Sequence, residues 1–230
     1  MTGVQTCALP ISYLQPGFQD LFSQDHLPID VIISPELEVG KAVLRRLAVP
    51  GAFDILNFAD GKVSVVGVSL EEDCPIVNTP LRQLTDLFPD LKSRVVGIVR
   101  NGELFVPQSD DPMLVGDEAY FAADVRDVRR TLGIFGHEEV AARRIIIVGA
   151  GNIGLHVAQE LENNHPGTRV KLIERDRDKA VQAADKLKRS IVLHGDGLAP
   201  ELLQEAGISE TETLVTLTND DQANILACVV

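Results

Sequence analysis

The chain has 230 residues, 45% of them hydrophobic and 24% charged, a balance that excludes a disordered tract and gives room for two modest globular cores. A formal net charge of −13 supplies no general attraction to nucleic-acid phosphates or anionic lipid, so no nucleic-acid partner is expected. No apolar run approaches the roughly 18 residues of a membrane span, and three cysteines without C-x-x-C spacing, Cys7, Cys74 and Cys228, point away from a disulfide framework or zinc site and toward a reducing cytoplasm.

The first stretch, "MTGVQTCALPIS" from Met1 to Ser12, lacks the basic region and apolar length of a secretory signal. It reads like translated sequencing-adapter sequence and is set aside as non-native. "IDVIISPELEVGKAVLRRL", Ile29 to Leu47, then predicts a β-branched strand feeding a helix. Ser34 is the expected N-cap and Pro35 the first helical residue. Glu36 and Glu38 sit in the first turn and Arg45 and Arg46 near the end, each where the helix dipole favours its charge. Pro50-Gly51 closes that unit.

From Ala52 to Asp124 the pattern changes to short alternating strands: Lys62 to Leu70, Ser93 to Pro107 and Glu118 to Asp124. Asn101-Gly102 is the strongest hairpin signal, because both positions tolerate positive φ. Between the first two strands, "NTPLRQLTDLFPD" predicts a helix capped by Asn78 or Thr79 with Pro80 at its first position, ending at Pro89. The result is a small β-α-β-β-β module, followed by a polar helix and linker up to Arg144.

Strands and helices alternate regularly thereafter, which implies parallel pairing and right-handed crossovers. The strands are Arg144 to Val148, Arg169 to Glu174, Ser190 to His194 and Glu212 to Thr218. Helices follow from about Asn152, from the capping residue Asp176, from Pro200 and from about Asp220, where "DDQANILACVV" stops in mid-pattern.

Gly149, Gly151 and Gly154 form G-x-G-x-x-G directly after a strand and at the head of a helix, inside a βαβ unit of about 30 residues. In that context the first glycine permits a tight turn, the second lets backbone approach a diphosphate, and the third lets helix pack on strand. The first-turn amides, unpaired by helix geometry, bind the phosphates. Glu174 ends the second strand, where a carboxylate accepts from the adenosine ribose hydroxyls and repels a 2′-phosphate; this favours NAD(H), although Arg175 beside it blurs the choice and ADP or ATP stay open. Asp196 and Gly197 end the third strand and border the expected adenine position. Thr218 and Asn219 end the fourth and reach toward phosphate or nicotinamide, or Asn219 and Asp220 only cap the next helix. No acid–base pair, metal set or nucleophile elbow accompanies this crevice. The five histidines, His26, His137, His156, His165 and His194, are scattered, and the cysteines have no neighbouring base.

"IIIVGAGNIG", "IERD", "HGDG", "VTLTNDDQANILA" and "DVIISPELEVGKAVLRRL" together resemble the RCK/KTN family of nucleotide-binding regulators of potassium transport. The resemblance covers about Tyr13 to Val230 and implies an α/β fold class: a Rossmann-type parallel sheet (RCK N) preceded by a small α+β RCK C-terminal subdomain. It divides the chain into residues 13–50, the remnant of a first Rossmann unit, 51–135, the small regulatory subdomain, and 143–230, a second Rossmann unit, with 1–12 outside. It also implies a fragment at both ends, lacking a first glycine motif and the family's basic residue after a fifth strand. Carried over by position, Gly149, Ala150, Gly151, Asn152, Ile153, Gly154, Glu174, Arg175, Asp196, Gly197, Thr218 and Asn219 are the expected NAD-binding residues. The implied role is not enzymatic: a homo-oligomeric RCK ring, peripheral on the inner face of the plasma membrane, that gates a membrane-embedded potassium channel or transporter subunit of the TrkH kind. The alternative is an NAD-dependent oxidoreductase whose catalytic domain lies beyond Val230.

Overall fold

The computed structural model describes residues 6–10 and 31–227; the predicted strand start at Ile29, His26 and Cys228 lie outside them. Within the stretch that the sequence reading set aside, Thr6–Ala8 forms a strand (β1) paired in parallel with Val31–Ile33 (β2). Helix α1, Pro35–Ala48, follows with its acidic first turn and basic last turn. Ser34 is buried and stands where a cap is expected. Its carbonyl accepts from the Glu38 amide at 3.0 Å, while its hydroxyl donates to Glu36 Oε2 at 2.9 Å. The chain divides into two compact units, one from Arg45 to Ala141 and one made of the stretches on either side.

The Arg45–Ala141 unit is built on an antiparallel sheet. Its strands are β3 (Asp54–Phe58), β4 (Val63–Ser69), β5 (Ser93–Arg100), β6 (Glu103–Phe105) and β7 (Glu118–Asp124), in the order β3-β4-β7-β5-β6. Alternation sends Val66, Val68, Ala119, Phe121, Ala123 and Ile98 to one face, all buried, and helix α3, Val128–Ile134, packs there. Phe135 just beyond α3 stacks on Phe121 with ring centroids 5.4 Å apart. Asn101 and Gly102 turn the β5–β6 hairpin with φ of 52° and 80°, as that dipeptide predicts.

Two predictions for this unit need correction. The strand β3 is absent from the sequence reading, yet it pairs along its whole length with β4. The turn between them is a run of three residues, Ala59, Asp60 and Gly61, with φ of 51°, 55° and 79°. Helix α2, Leu81–Leu87, is capped by Pro80 in extended conformation and has no side-chain cap. Asn78 is drawn away to φ 62°, and its amide donates to the Met113 carbonyl at 2.7 Å.

The second unit carries a parallel sheet of β8 (Arg144–Val148), β9 (Arg169–Glu174), β10 (Ile191–His194) and β11 (Thr213–Thr216), in the order β10-β9-β8-β11. Its chain order is thus 3-2-1-4, with the reversal beside β8. Helices α4 (Asn152–Asn164), α5 (Arg177–Lys186), α6 (Pro200–Glu205) and α7 (Asp221–Ala227) connect or follow the strands, and a short 3-10 turn spans Ile208–Glu210. The apolar run Ile145 to Val148 is buried throughout, as a central parallel strand covered on both faces requires. Glu162 at the end of α4 accepts from the amides of Lys188 at 3.0 Å and Arg189 at 2.7 Å, fastening the loop that enters β10. No helix of the described residues is long and apolar enough to cross a membrane.

Candidate functional site

In an open parallel sheet a ligand crevice lies outside the carboxyl ends of the strands, where the strand order reverses. Here that place is the tip of β8 between β9 and β11. Gly149 leaves β8 with φ 107°, a conformation open only to glycine. A side chain there would also come within 2.6 Å of the Leu217 carbonyl oxygen. Gly154 lies against the same turn, and a Cβ built on it falls onto the Gly149 carbonyl oxygen. Gly151 differs from both: nothing lies within 4 Å of where its Cβ would be. The first and third glycines are therefore demanded by packing, while the second faces open space.

Gly151 is the N-cap of α4. Among the described residues none accepts from the amides of Gly151, Asn152 or Ile153. Those groups sit at the positive end of the helix without an acceptor among the described residues, the arrangement that suits a phosphate. Open space at Gly151 and unpaired amides beside it fit a dinucleotide or nucleoside diphosphate.

The neighbouring strand tips converge on this turn. Glu174 ends β9, in register with His194 of β10. One of its carboxylate oxygens accepts from the Ala150 amide at 2.7 Å, and the other from Asp176 at 2.8 Å. Arg175 is exposed. Asp176 caps α5 by accepting from Asp178 at 2.9 Å and Lys179 at 3.2 Å. The Lys179 amide, opposed by burial and helped by the Asp178 amide and the charge of Lys179, holds its carboxyl below the ordinary range. Beyond β10, Gly197 is buried against Val148, whose Cγ1 a Cβ there would strike, so this loop lies on the tip of β8. Asp196 is exposed and accepts from the Leu198 amide at 3.0 Å.

After β11, Thr218 is held by a residue that sequence reasoning missed. Asn224 of α7 accepts from the Thr218 amide at 3.0 Å and hydroxyl at 2.7 Å, and donates from its side-chain nitrogen to the Thr218 carbonyl at 3.0 Å. Only its place in "NDDQANILA" marked it. The capping alternative for Asn219 and Asp220 falls to Asp220 alone, which accepts from Gln222 at 2.9 Å and Ala223 at 3.1 Å. Asn219 stays exposed beside the crevice. The structure thus gathers Gly149 to Gly154, Glu174, Gly197 and Thr218 at one edge of the sheet.

Among the described residues no group of three His, Cys, Asp or Glu is placed to hold a metal. His156 is half-buried on α4 beside Gly40, and His165 is exposed at its end. A cavity of about 610 Å³ lies instead in the Arg45–Ala141 unit, lined mainly by Leu81, Leu84, Phe88, Val95, Phe121 and Ile134. Arg82, Arg94 and Gln108 share that lining, and the cavity belongs to residues far in sequence from the glycine turn.

The TrkA-C domain model matches residues 65–136 and the TrkA-N domain model residues 145–230. The Trk system potassium uptake protein TrkA of Azorhizobium caulinodans is 54% identical over 95% of this chain and 48% of its own length. That of Halomonas elongata is 36% identical over 90% and 45%. The chain therefore spans about half the length of the curated relatives it matches. Among solved structures, the GsuK channel bound to NAD shares the fold with a TM-score of 0.57 at 18% identity, covering 96% of this chain and 37% of that one. By these matches the chain belongs to the TrkA family of Trk-system potassium uptake proteins, and it carries a TrkA-C domain followed by a TrkA-N domain.

Proposed function

We propose that this chain is part of the nucleotide-sensing regulatory subunit of a Trk-type potassium uptake system, and that it binds NAD(H) at the tips of β8, β9, β10 and β11. The observation that carries the reading is the set of unpaired amides at Gly151, Asn152 and Ile153 beside open space, with the Glu174 carboxylate at the next strand tip. The amides receive the diphosphate and Glu174 accepts from the ribose, while its charge repels a 2′-phosphate and so selects NAD(H) over NADP(H). ADP and ATP share that sugar and diphosphate and compete for the same place. The name shared by the relatives and the NAD in a structure of the same fold support the reading.

The role is regulatory rather than catalytic. Nucleotide shifts a ring of such subunits, docked on the cytoplasmic side of a membrane-embedded potassium channel or transporter, only as far as it binds the ring's states with different affinity. The test is a titration of NADH and NADPH into the purified chain, followed by potassium flux through the reconstituted full-length system with and without nucleotide. NADH binding tighter than NADPH, without oxidation in the presence of small alcohols or hydroxy acids, is expected. Absence of binding, or turnover, overturns the reading.

A further inference from the structure

Glu174 is engaged on both oxygens before any sugar arrives. Its Oε2 accepts from the Ala150 amide at 2.7 Å and its Oε1 from the Asp176 amide at 2.8 Å. The residue before Ala150 is tied to the same strand, since the Gly149 amide donates to the Ile173 carbonyl at 2.8 Å. Two successive amides of the glycine turn thus rest on two successive residues of β9. The first tie is main chain to main chain, and any side chain at 173 permits it. The second exists only because residue 174 carries an acceptor of the right length. The three amides that follow, at Gly151, Asn152 and Ile153, have no acceptor among the described residues.

We infer that Glu174 is a positioning residue for the glycine loop, in addition to its contact with the ribose: by holding the Ala150 amide it aims the next three amides at the diphosphate. The inference rests on the nucleotide reading of this crevice and adds a second role to the same carboxylate. The two roles separate by sign. If Glu174 serves the sugar alone, its removal leaves a ligand without ribose hydroxyls unaffected, or tightens it by taking a negative charge away from the phosphates. If it also holds the loop, the same ligand binds more weakly.

The test is calorimetric titration of the 230-residue chain with ADP and with 2′,3′-dideoxy-ADP. Glu174→Ala is expected to weaken the dideoxy ligand about tenfold, the worth of one charge-assisted hydrogen bond. Glu174→Gln keeps a side-chain oxygen that can accept from Ala150, and should hold that affinity within about threefold of the parent. Equal or tighter dideoxy-ADP binding by Glu174→Ala overturns the inference and leaves the nucleotide reading standing. If the parent chain binds neither ligand, the nucleotide reading fails, and the loop-holding role is decided on the free protein. Amide hydrogen exchange at Ala150 should then rise about tenfold or more in Glu174→Ala, and unchanged exchange overturns it.

Discussion

Arg100 and Asp117 form a two-pronged pair, Nε to Oδ1 at 2.8 Å and Nη2 to Oδ2 at 2.7 Å, with Asp117 only 2% exposed. The same guanidinium donates to the Pro112 carbonyl at 3.0 Å, and Asp117 Oδ2 also accepts from the Leu114 amide at 2.8 Å. The pair therefore ties β5 to the irregular loop before β7. The Arg100 hydrogen bond, outweighing burial, holds the Asp117 carboxyl below its ordinary range. A depressed folded pKa adds stability that is full above the unfolded carboxylate range and disappears as pH falls through the folded value. Asp117→Asn should cost about 2 kcal/mol near neutral pH, because it leaves Arg100 with a neutral partner. Urea unfolding at several pH values should show the loss shrinking as the solution becomes acid.

Glu162 offers a second acid-dependent clamp. Burial pushes its carboxyl up, and the amides of Lys188, Arg189 and Ser190 more than reverse that, bringing it to about 2. Its unfolded value is about 4.3, so its contribution is complete above that pH and is lost between there and about 2. Glu162→Gln should lower stability by about 1 kcal/mol at neutral pH and flatten the acid limb of a stability-against-pH curve.

The motif glycines should separate under mutation. Gly154→Ala drives a methyl group into the Gly149 carbonyl and should destabilise the domain by roughly 2 kcal/mol or more. Gly151→Val meets open space, so unfolding should change by about 1 kcal/mol or less while NADH titration shows binding abolished. Thermal melts paired with titrations test both statements, and equal melting losses for the two variants would contradict the packing assignment.

Asn224→Ala removes all three hydrogen bonds to Thr218. It should cost about 1–2 kcal/mol and speed amide exchange at Thr218 more than at β8. Asn224→Asp keeps the acceptor but loses the donor, and should fall between the two.

The parallel unit was legible because its signals are local and redundant: β-branched runs, a glycine fingerprint, Asp176 before α5 and Pro200 at the head of α6 each announce one boundary. The meeting of the glycine turn with the ends of β9, β10 and β11 was legible for the same reason, since strand ends in this topology share one edge. β3 escaped because its Leu56 and Phe58 face solvent and its turn spends three residues at positive φ. Asn224 escaped because its role is tertiary: a helix asparagine looks alike in sequence whether it faces water or fastens a loop. The Asn78 cap failed because Asn78 stands at φ 62°, outside the extended conformation of a cap, and the helix starts only at Leu81, behind Pro80.

Gly149 lies beneath the main chain that leaves β11, close enough that its missing side chain is dictated by Leu217. The floor of the crevice is therefore shared between the first strand of the domain and the last strand described. During synthesis, a ribosome-bound chain that has not yet delivered Leu217 possesses the complete fingerprint and its helix but only half of the cup. On the proposed nucleotide reading, a nascent chain stalled before β11 lacks that part of the floor and should leave NADH in solution.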